Sequence, residues 1–384
     1  MTVEPQVKGW CPGAHRPMLS GDGLVVRVRP RAGRLTSAEA LGLAGLSSTF
    51  GNGTLDLTSR ANLQLRGVSE DDFPTVLATL EELDLLDQDA DLEARRNILI
   101  TPFRKSGGIE DRLTAALTRA LPDLPPLPAK IGIAIDTGRT RVLGTASADF
   151  RFERDANDGL ILRADGADKG VPVTEETAVP ALIDLAQWLA KRVTPDLRRM
   201  RKVVTATGTP REASVFPVPM AARAQPGPVT AGLLVGAPFG QIPAVDLVRL
   251  LTDTGAPAIR LTPWRMLLLE GVTDTISASR AGFVTTLGNA LLDADACPGA
   301  PYCPAASVET RTLARRLAPR LPAGLHVSGC SKGCARSAAS PVTLVGREGR
   351  FDLVRDGHAW DEADEADLTE DQILKILTQD TPEA

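Results

Sequence analysis

The chain repeats itself. Residues 232 to 272 follow the order of residues 23 to 68: Gly-Leu and a hydrophobic strand, a short helix, a turn, then a second strand. Leu57-Thr58 matches Leu261-Thr262, and Gly67-Val68 matches Gly271-Val272. A second echo lies downstream, where LPPLPAKIGIAIDTG at 124 to 138 corresponds to LPAGLHVSGCSKG at 321 to 333. Each is followed by a strand pair ending in Asp-Gly, at Asp165-Gly166 and at Asp356-Gly357. Duplicated units of this kind bury apolar faces against one another, which restricts the fold to two related halves about an internal two-fold axis. Each copy reads as a small strand-and-helix unit followed by an α/β domain, and the Pro-rich stretch Thr209 to Pro228 joins them. In the first copy we expect a strand at Leu24 to Val28, a helix near Ser37 to Ser48, and a single strand over 54 to 68. A further helix follows, with Ser69 as its cap and Phe73, Val76, Leu77, Leu80 and Leu83 as its apolar stripe.

The second copy carries four of the five cysteines. Cys297 and Cys303 have five residues between them, Cys330 and Cys334 three, and 26 residues separate the pairs. Two such loops can bring four thiols to one centre, and thiolates favour zinc or an iron–sulfur cluster over hard metals. Zinc pairs are spaced by about two to four residues, so the wider first gap favours the cluster; a disulfide pair is the third reading. Cys303-Pro304 is expected to open a helix with Val308, Leu313 and Leu317 on its buried side, placing a thiolate at a helix N-terminus. The pattern C-x5-C then G-C-x3-C, with Pro after the first two cysteines, resembles the cluster motif of sulfite and nitrite reductases. That family combines a 4Fe–4S cluster with an adjacent tetrapyrrole, and the resemblance aligns Cys334 with its bridging cysteine.

Read as a strand of period two, TSRANLQLRG sets Arg60, Asn62, Gln64 and Arg66 on one face and Ala61, Leu63 and Leu65 on the other. An ordinary solvent-facing strand would show the same alternation, but this polar face carries no Asp, Glu or Lys, and its residues all suit carboxylate or carbonyl groups. The segment resembles the reductases' T-x-R-Q-N-x-Q-x-R-G, which lines the tetrapyrrole; Ala61 replaces the family's glutamine. The same resemblance places Arg96, in Arg95-Arg96-Asn97, beside the macrocycle carboxylates. It also places Lys130 at the first of two catalytic lysines in L-P-x-K-x-K, where those lysines supply charge and protons to sulfite or nitrite. Gly132 occupies the second place. The arm WCPGAHRPMLSGDGLVVRVR resembles the members of this superfamily that serve aerobic cobalamin biosynthesis. They hydroxylate precorrin-3A with dioxygen and form a lactone, and this resemblance covers most of the chain.

What the resemblance implies is an α+β fold of the sulfite/nitrite reductase type, a pseudo-two-fold duplication of a ferredoxin-like half-domain plus an α/β domain. The expected divisions are 1–75 for the arm and first half-domain, 76–208 for the first α/β domain, 209–228 for the linker, 229–290 for the second half-domain and 291–384 for the cluster domain. Arg60, Arg96 and Lys130 are the expected catalytic residues, and with Asn62, Gln64 and Arg66 they form the substrate set. The leading function is an oxygenase acting on precorrin-3A. A sirohaem-dependent sulfite or nitrite reductase is the alternative, and a 4Fe–4S electron carrier or sensor is the reading from another class. A mononuclear iron would accompany the cluster in the oxygenase, but the chain offers only His15, His326 and His358 for it.

Composition removes other classes. A net charge of −5 leaves no electrostatic footprint for nucleic acid. No apolar run reaches ~18 residues, and MTVEPQVKGW carries no signal-peptide pattern, so no membrane partner is expected. An odd number of cysteines grouped as ligands suits the cytoplasm. No G-x-G-x-x-G follows a strand, so electrons from NAD(P)H would arrive through a reductase partner. A monomer is expected.

Overall fold

The computed structural model describes residues 12–210, 213–321 and 324–379. The start of the arm, with Cys11, lies outside them. The described residues form four five-stranded sheets in two matching pairs.

The first pair comes from the ferredoxin-like repeats. In the first copy, Gly23–Val28 pairs with Leu63–Val68, which pairs with Thr54–Leu57, all antiparallel. In the second copy, Gly232–Gly236, Met266–Glu270 and Ala258–Leu261 do the same. Each sheet takes its fifth strand from the other copy: Gln241–Pro243 pairs with Thr54–Leu57, and Arg34–Thr36 with Ala258–Leu261. The duplication is thus stitched by exchanged edge strands, which also cover edges that would otherwise be open. Backbone details repeat as well. Ala32 and Phe239 hold positive φ (51° and 61°) just before the exchanged strands, and Ala61 and Arg265 hold it (52° and 61°) in the equivalent hairpins. Four non-glycine residues in a sparsely populated region, at matched positions, reflect shared ancestry of the two backbones rather than local preference.

The helices Ser37–Phe50 and Ala244–Thr254 cover one side of these sheets. Thr36 starts the first by a capping box: Glu39 N–H donates to Thr36 Oγ1 (3.2 Å), and Thr36 N–H to the Glu39 carboxylate (2.6 Å). Leu43 and Ala44 meet Leu247, Leu250 and Leu251 in a common core with Leu55, Leu63 and Leu65. Burying each such leucine contributes about 2 kcal/mol, so the two copies hold each other folded.

The second pair of sheets is α/β. Ile98–Ile100, Ile133–Asp136 and Phe150–Arg154 run parallel, then Leu160–Ala164 and Val171–Pro172 return antiparallel. Asp295–Ala296, Leu325–Ser328, Ser340–Arg347, Arg350–Gly357 and Glu365–Leu368 repeat that order.

Two expectations need correction. The single strand over 54 to 68 is a hairpin, broken at residues 58 to 62. Thr58 Oγ1 accepts from the N–H groups of Arg60 (3.3 Å) and Asn62 (3.2 Å), and Ala61 at φ 52° reverses the chain. Arg60 and Asn62 therefore sit in a turn, and only Gln64 and Arg66 share a strand face. The helix expected from Pro304 begins at Arg311. Residues before it fold back on the cysteine loop instead, with Ala300 N–H bonded to Val308 O (2.8 Å) and Thr310 Oγ1 to Cys297 O (2.5 Å). Cys303 gains nothing from a helix dipole. Val308, Leu313 and Leu317 are nonetheless buried together, as their spacing required.

Candidate functional site

The four cysteines are free thiols on two touching loops. Cys297 leaves the strand Asp295–Ala296, and Cys330 follows Leu325–Ser328, its parallel neighbour. Parallel strands put both loops at the same end of the sheet. They meet at Gly329, where a Cβ would stand 2.6 Å from that of Ala306, a distance no side chain tolerates. Gly329 N–H points at the Cys297 sulfur (3.1 Å), and Ser328 Oγ secures the second loop through Cys330 O (2.7 Å). Desolvation, opposed by the Lys332 charge and assisted by the other thiolates, raises the Cys334 thiol to about 11, although that side chain reaches the surface. The Cys330 thiol is also raised by burial, and Cys303 and Cys297 add to the shift. The Cys330 and Cys334 thiols both lie within the electrostatic reach of Cys297 and Cys303, so four thiolates would stand together only when a positive centre compensates them, and metal loading would release protons. An all-thiol donor set with a backbone N–H on one sulfur fits a 4Fe–4S cluster.

Among the described residues no three of His, Cys, Asp and Glu, the four cysteines included, are grouped to hold one metal ion. His15 Nε2 donates to Asp87 O (2.7 Å), and His358 Nδ1 bonds Asp361 (2.9 Å). His326 is fully buried with neither ring nitrogen bonded, and burial lowers its pKa to about 4, so it is neutral.

The polar hairpin links this centre to the first α/β domain. Arg60, in the turn, donates to Lys130 O (2.9 Å) and Ser147 Oγ (3.3 Å). Arg66 reaches the other way, to Tyr302 O (3.0 Å), next to Cys303, and is paired with Asp22 (3.2 Å). Arg60 and Arg66 are no more than roughly 20 Å apart along the chain at ~3.3 Å per residue. Gln64 lies between them, its amide oxygen turned toward Arg27 (2.9 Å). The Lys130 side chain is exposed. Arg96 is buried and holds Asp87 (2.8 Å) and Arg29 O (2.7 Å); with Asn62 it borders a small cavity. The structure thus sets the Arg60 guanidinium against the Lys130 backbone carbonyl and commits Nη2 of Arg66 and Nε and Nη2 of Arg96 to neighbours. Sequence reasoning missed Ser147 and Arg199. The run LRRMRK gave no sign that one arginine turns to Asp149 (2.9 Å) and Ser147 Oγ (3.2 Å).

The second copy answers the first with different chemistry. Its equivalent hairpin sends Arg265 to Ala335 O (3.1 Å), adjacent to Cys334, and to Asp295.

Comparison with known proteins agrees with this architecture. Residues 16–83 match the nitrite/sulfite reductase ferredoxin-like half domain. A precorrin-3B synthase of Sinorhizobium sp is 30% identical over 93% of this chain and 85% of its own length. Ferredoxin–nitrite reductases of Leptolyngbya laminosa and Synechococcus elongatus are 24% and 26% identical, over 89% and 88% of the chain and 80% and 78% of theirs. The Mycobacterium tuberculosis NirA structure superposes with a TM-score of 0.67 at 18% identity, over 92% of this chain and 79% of that one, a likeness of fold. No described helix is long and apolar enough to cross a membrane.

Proposed function

The chain belongs to the precorrin-3B synthase family of the nitrite/sulfite reductase superfamily, and from that membership we propose that it hydroxylates precorrin-3A with dioxygen and closes a lactone. In such a reaction one oxygen atom enters the product and the other leaves as water, which takes two electrons and two protons from a donor. We assign that role to NAD(P)H acting through a reductase partner. A 4Fe–4S cluster, held by Cys297, Cys303, Cys330 and Cys334, supplies single electrons when bound. The chain's own contribution is positioning. Arg60 and Lys130 pair with the substrate's carboxylates, and guanidinium does so in a directional, two-pronged way. Arg96 shapes the wall through Asp87 and Arg29, and Asn62 and Gln64 offer polar contacts.

The observation that favours this reading over sirohaem-dependent reduction is Gly132. At the place of the second lysine, a Cβ would lie 3.0 Å from Asn97 Nδ2 and 3.2 Å from Asn97 O. The backbone there is pinned, since Gly132 N–H donates to Asp149 Oδ2 (3.0 Å) and Gly132 O accepts from Asp149 N–H (2.8 Å). A long cationic side chain has no room without moving Asn97. Gly132→Lys is expected to cost about 1–3 kcal/mol by overpacking and to confer no sulfite or nitrite reduction; chemical denaturation and a reductase assay check both. A stable variant with new reductase activity would revive the alternative.

Arg60→Ala is expected to weaken binding of an acidic tetrapyrrole about tenfold or more, while cluster absorbance stays unchanged. The function itself is tested by turnover with precorrin-3A, a reductant and 18O-labelled dioxygen. Label in the product supports the oxygenase. Consumption of sulfite or nitrite, with no label incorporated, would make the reductase the correct reading.

A further inference from the structure

We propose that Arg265 is the positioning residue of Cys334: its guanidinium ties the loop carrying that thiol to the hairpin of the second half-domain, and Asp295 extends the tie to the strand that leads into Cys297. The proposal rests on the reading of Cys334 as a cluster ligand. Arg265 Nη2 donates to the carbonyl of Ala335 (3.1 Å), the residue after Cys334, while Nη1 meets the Asp295 carboxylate. The other oxygen of Asp295 accepts from Arg336 Nη1 (3.1 Å), and Arg336 Nε donates to Ala339 O (3.2 Å). One carboxylate, on the strand Asp295–Ala296, thus holds two arginines that grip the backbone just beyond Cys334.

Two features separate this cluster from an ordinary surface ion pair. The side chains are sheltered, at 19% exposure for Asp295, 21% for Arg265 and 30% for Arg336, so salt screens them less than an exposed pair. The backbone of Arg265 also lies in the left-handed region, at φ 61°, where a non-glycine residue is uncommon. The first copy makes the same turn at Ala61, φ 52°, whose side chain is buried in the core. Both copies keep the strained backbone. They differ in the side chain, a methyl group in one and a guanidinium reaching the cysteine loop in the other. Cys334 needs such a tie, because it is the exposed thiol of the four and packing restrains it least. On its other side Gly333 closes against Ala359 and Trp360, where a Cβ would lie 3.2 Å from each. The loop is therefore gripped both before and after the thiol, and groups behind a ligand in this way fix its orientation.

The bland role for Arg265 is to balance Asp295 and brace the fold. Thiol chemistry separates the two roles. The full chain, freed of iron by a chelator, is treated with iodoacetamide under nitrogen, and the rate at each cysteine is read by peptide mass spectrometry beside thermal melts. Arg265→Ala should fold, because alanine already holds the equivalent turn in the first copy. It is expected to raise the Cys334 rate about tenfold relative to Cys297 in the same molecules, since local opening exposes the thiol. Arg265→Lys should recover part of the difference. Asp295→Asn should raise the ratio by a smaller factor, because its amide oxygen still accepts from one guanidinium. An unchanged or lower ratio in Arg265→Ala, or a rise shared equally by both thiols with a lower melting temperature, would overturn the proposal. Iron and sulfide analysis of the parent tests the cluster reading separately. If the parent is iron-loaded and the ratio does not move, this inference alone fails. If the parent takes up no iron, the cluster reading fails and the role of Arg265 toward a ligand fails with it.

Discussion

Replacing Cys330 by serine is expected to remove iron, sulfide and activity together. Cys330 lies at the point where the two cysteine loops touch, and its thiol already feels Cys303 and Cys297. A serine hydroxyl is a hard, weakly acidic donor, whereas cluster iron takes thiolate. The substitution leaves the loop's own ties intact, because Ser328 holds it through the Cys330 carbonyl and not the sulfur. The variant should therefore fold, melt close to the parent apoprotein, and lack the broad visible absorption of a cluster. Iron and sulfide analysis with a parallel activity assay checks this. A fully iron-loaded, active Cys330→Ser protein would contradict the ligand assignment, and zinc in place of iron in the parent would sink the cluster reading altogether.

Removing Glu270 is expected to cause a large loss of stability. Its carboxylate accepts from Arg34 (2.9 and 2.8 Å) and Arg260 (2.6 Å). Arg34 lies on the strand donated by the first copy, so this triad locks the exchange between halves. Arg260 is buried, and its other donors go to Pro102 O (2.7 Å) and Arg104 O (2.6 Å). Glu270→Ala strands that guanidinium without a countercharge, at a cost of about 3–5 kcal/mol. Urea denaturation should show it as a lower midpoint; a midpoint within error of the parent would show that the exchange does not depend on this contact. The pH behaviour follows from the same geometry. The hydrogen bond from Arg34, then that from Arg260, lowers the Glu270 pKa from 4.5 to about 2, against the opposing effect of burial. A depressed carboxylate pKa means stabilisation that is complete above the unfolded value and lost as pH falls toward the folded one. The parent should lose this contribution between about pH 4.5 and pH 2, and Glu270→Gln should lose less over the same window.

Some of this molecule was legible in residue order. The sharing of a loop by each cysteine pair was, because residues only a few positions apart stay together wherever the chain goes. The duplication was, because matched Leu-Thr and Gly-Val pairs register two segments without knowledge of their contacts. Core positions such as Leu63, Leu65, Val76 and Leu80 followed from periodicity and are buried. Alternation misled at Arg60 and Asn62, since a threonine hydroxyl and one residue of positive φ turned an apparently continuous strand into a hairpin.

Tertiary structure decided the rest. Arginine reads the same whether it grips a ligand or neutralises a neighbour, and the difference lies in partners remote along the chain: Asp87 for Arg96, Tyr302 for Arg66, Ser147 for Arg60. The exchanged strands are likewise invisible to any local pattern, because an edge strand's hydrogen bonds carry no sequence label. Sequence by itself determined that four cysteines lie on two loops and that the fold is two copies of one plan. Only packing of those copies decided which partner each arginine takes, since a guanidinium turns to whichever buried carboxylate or carbonyl lies nearest.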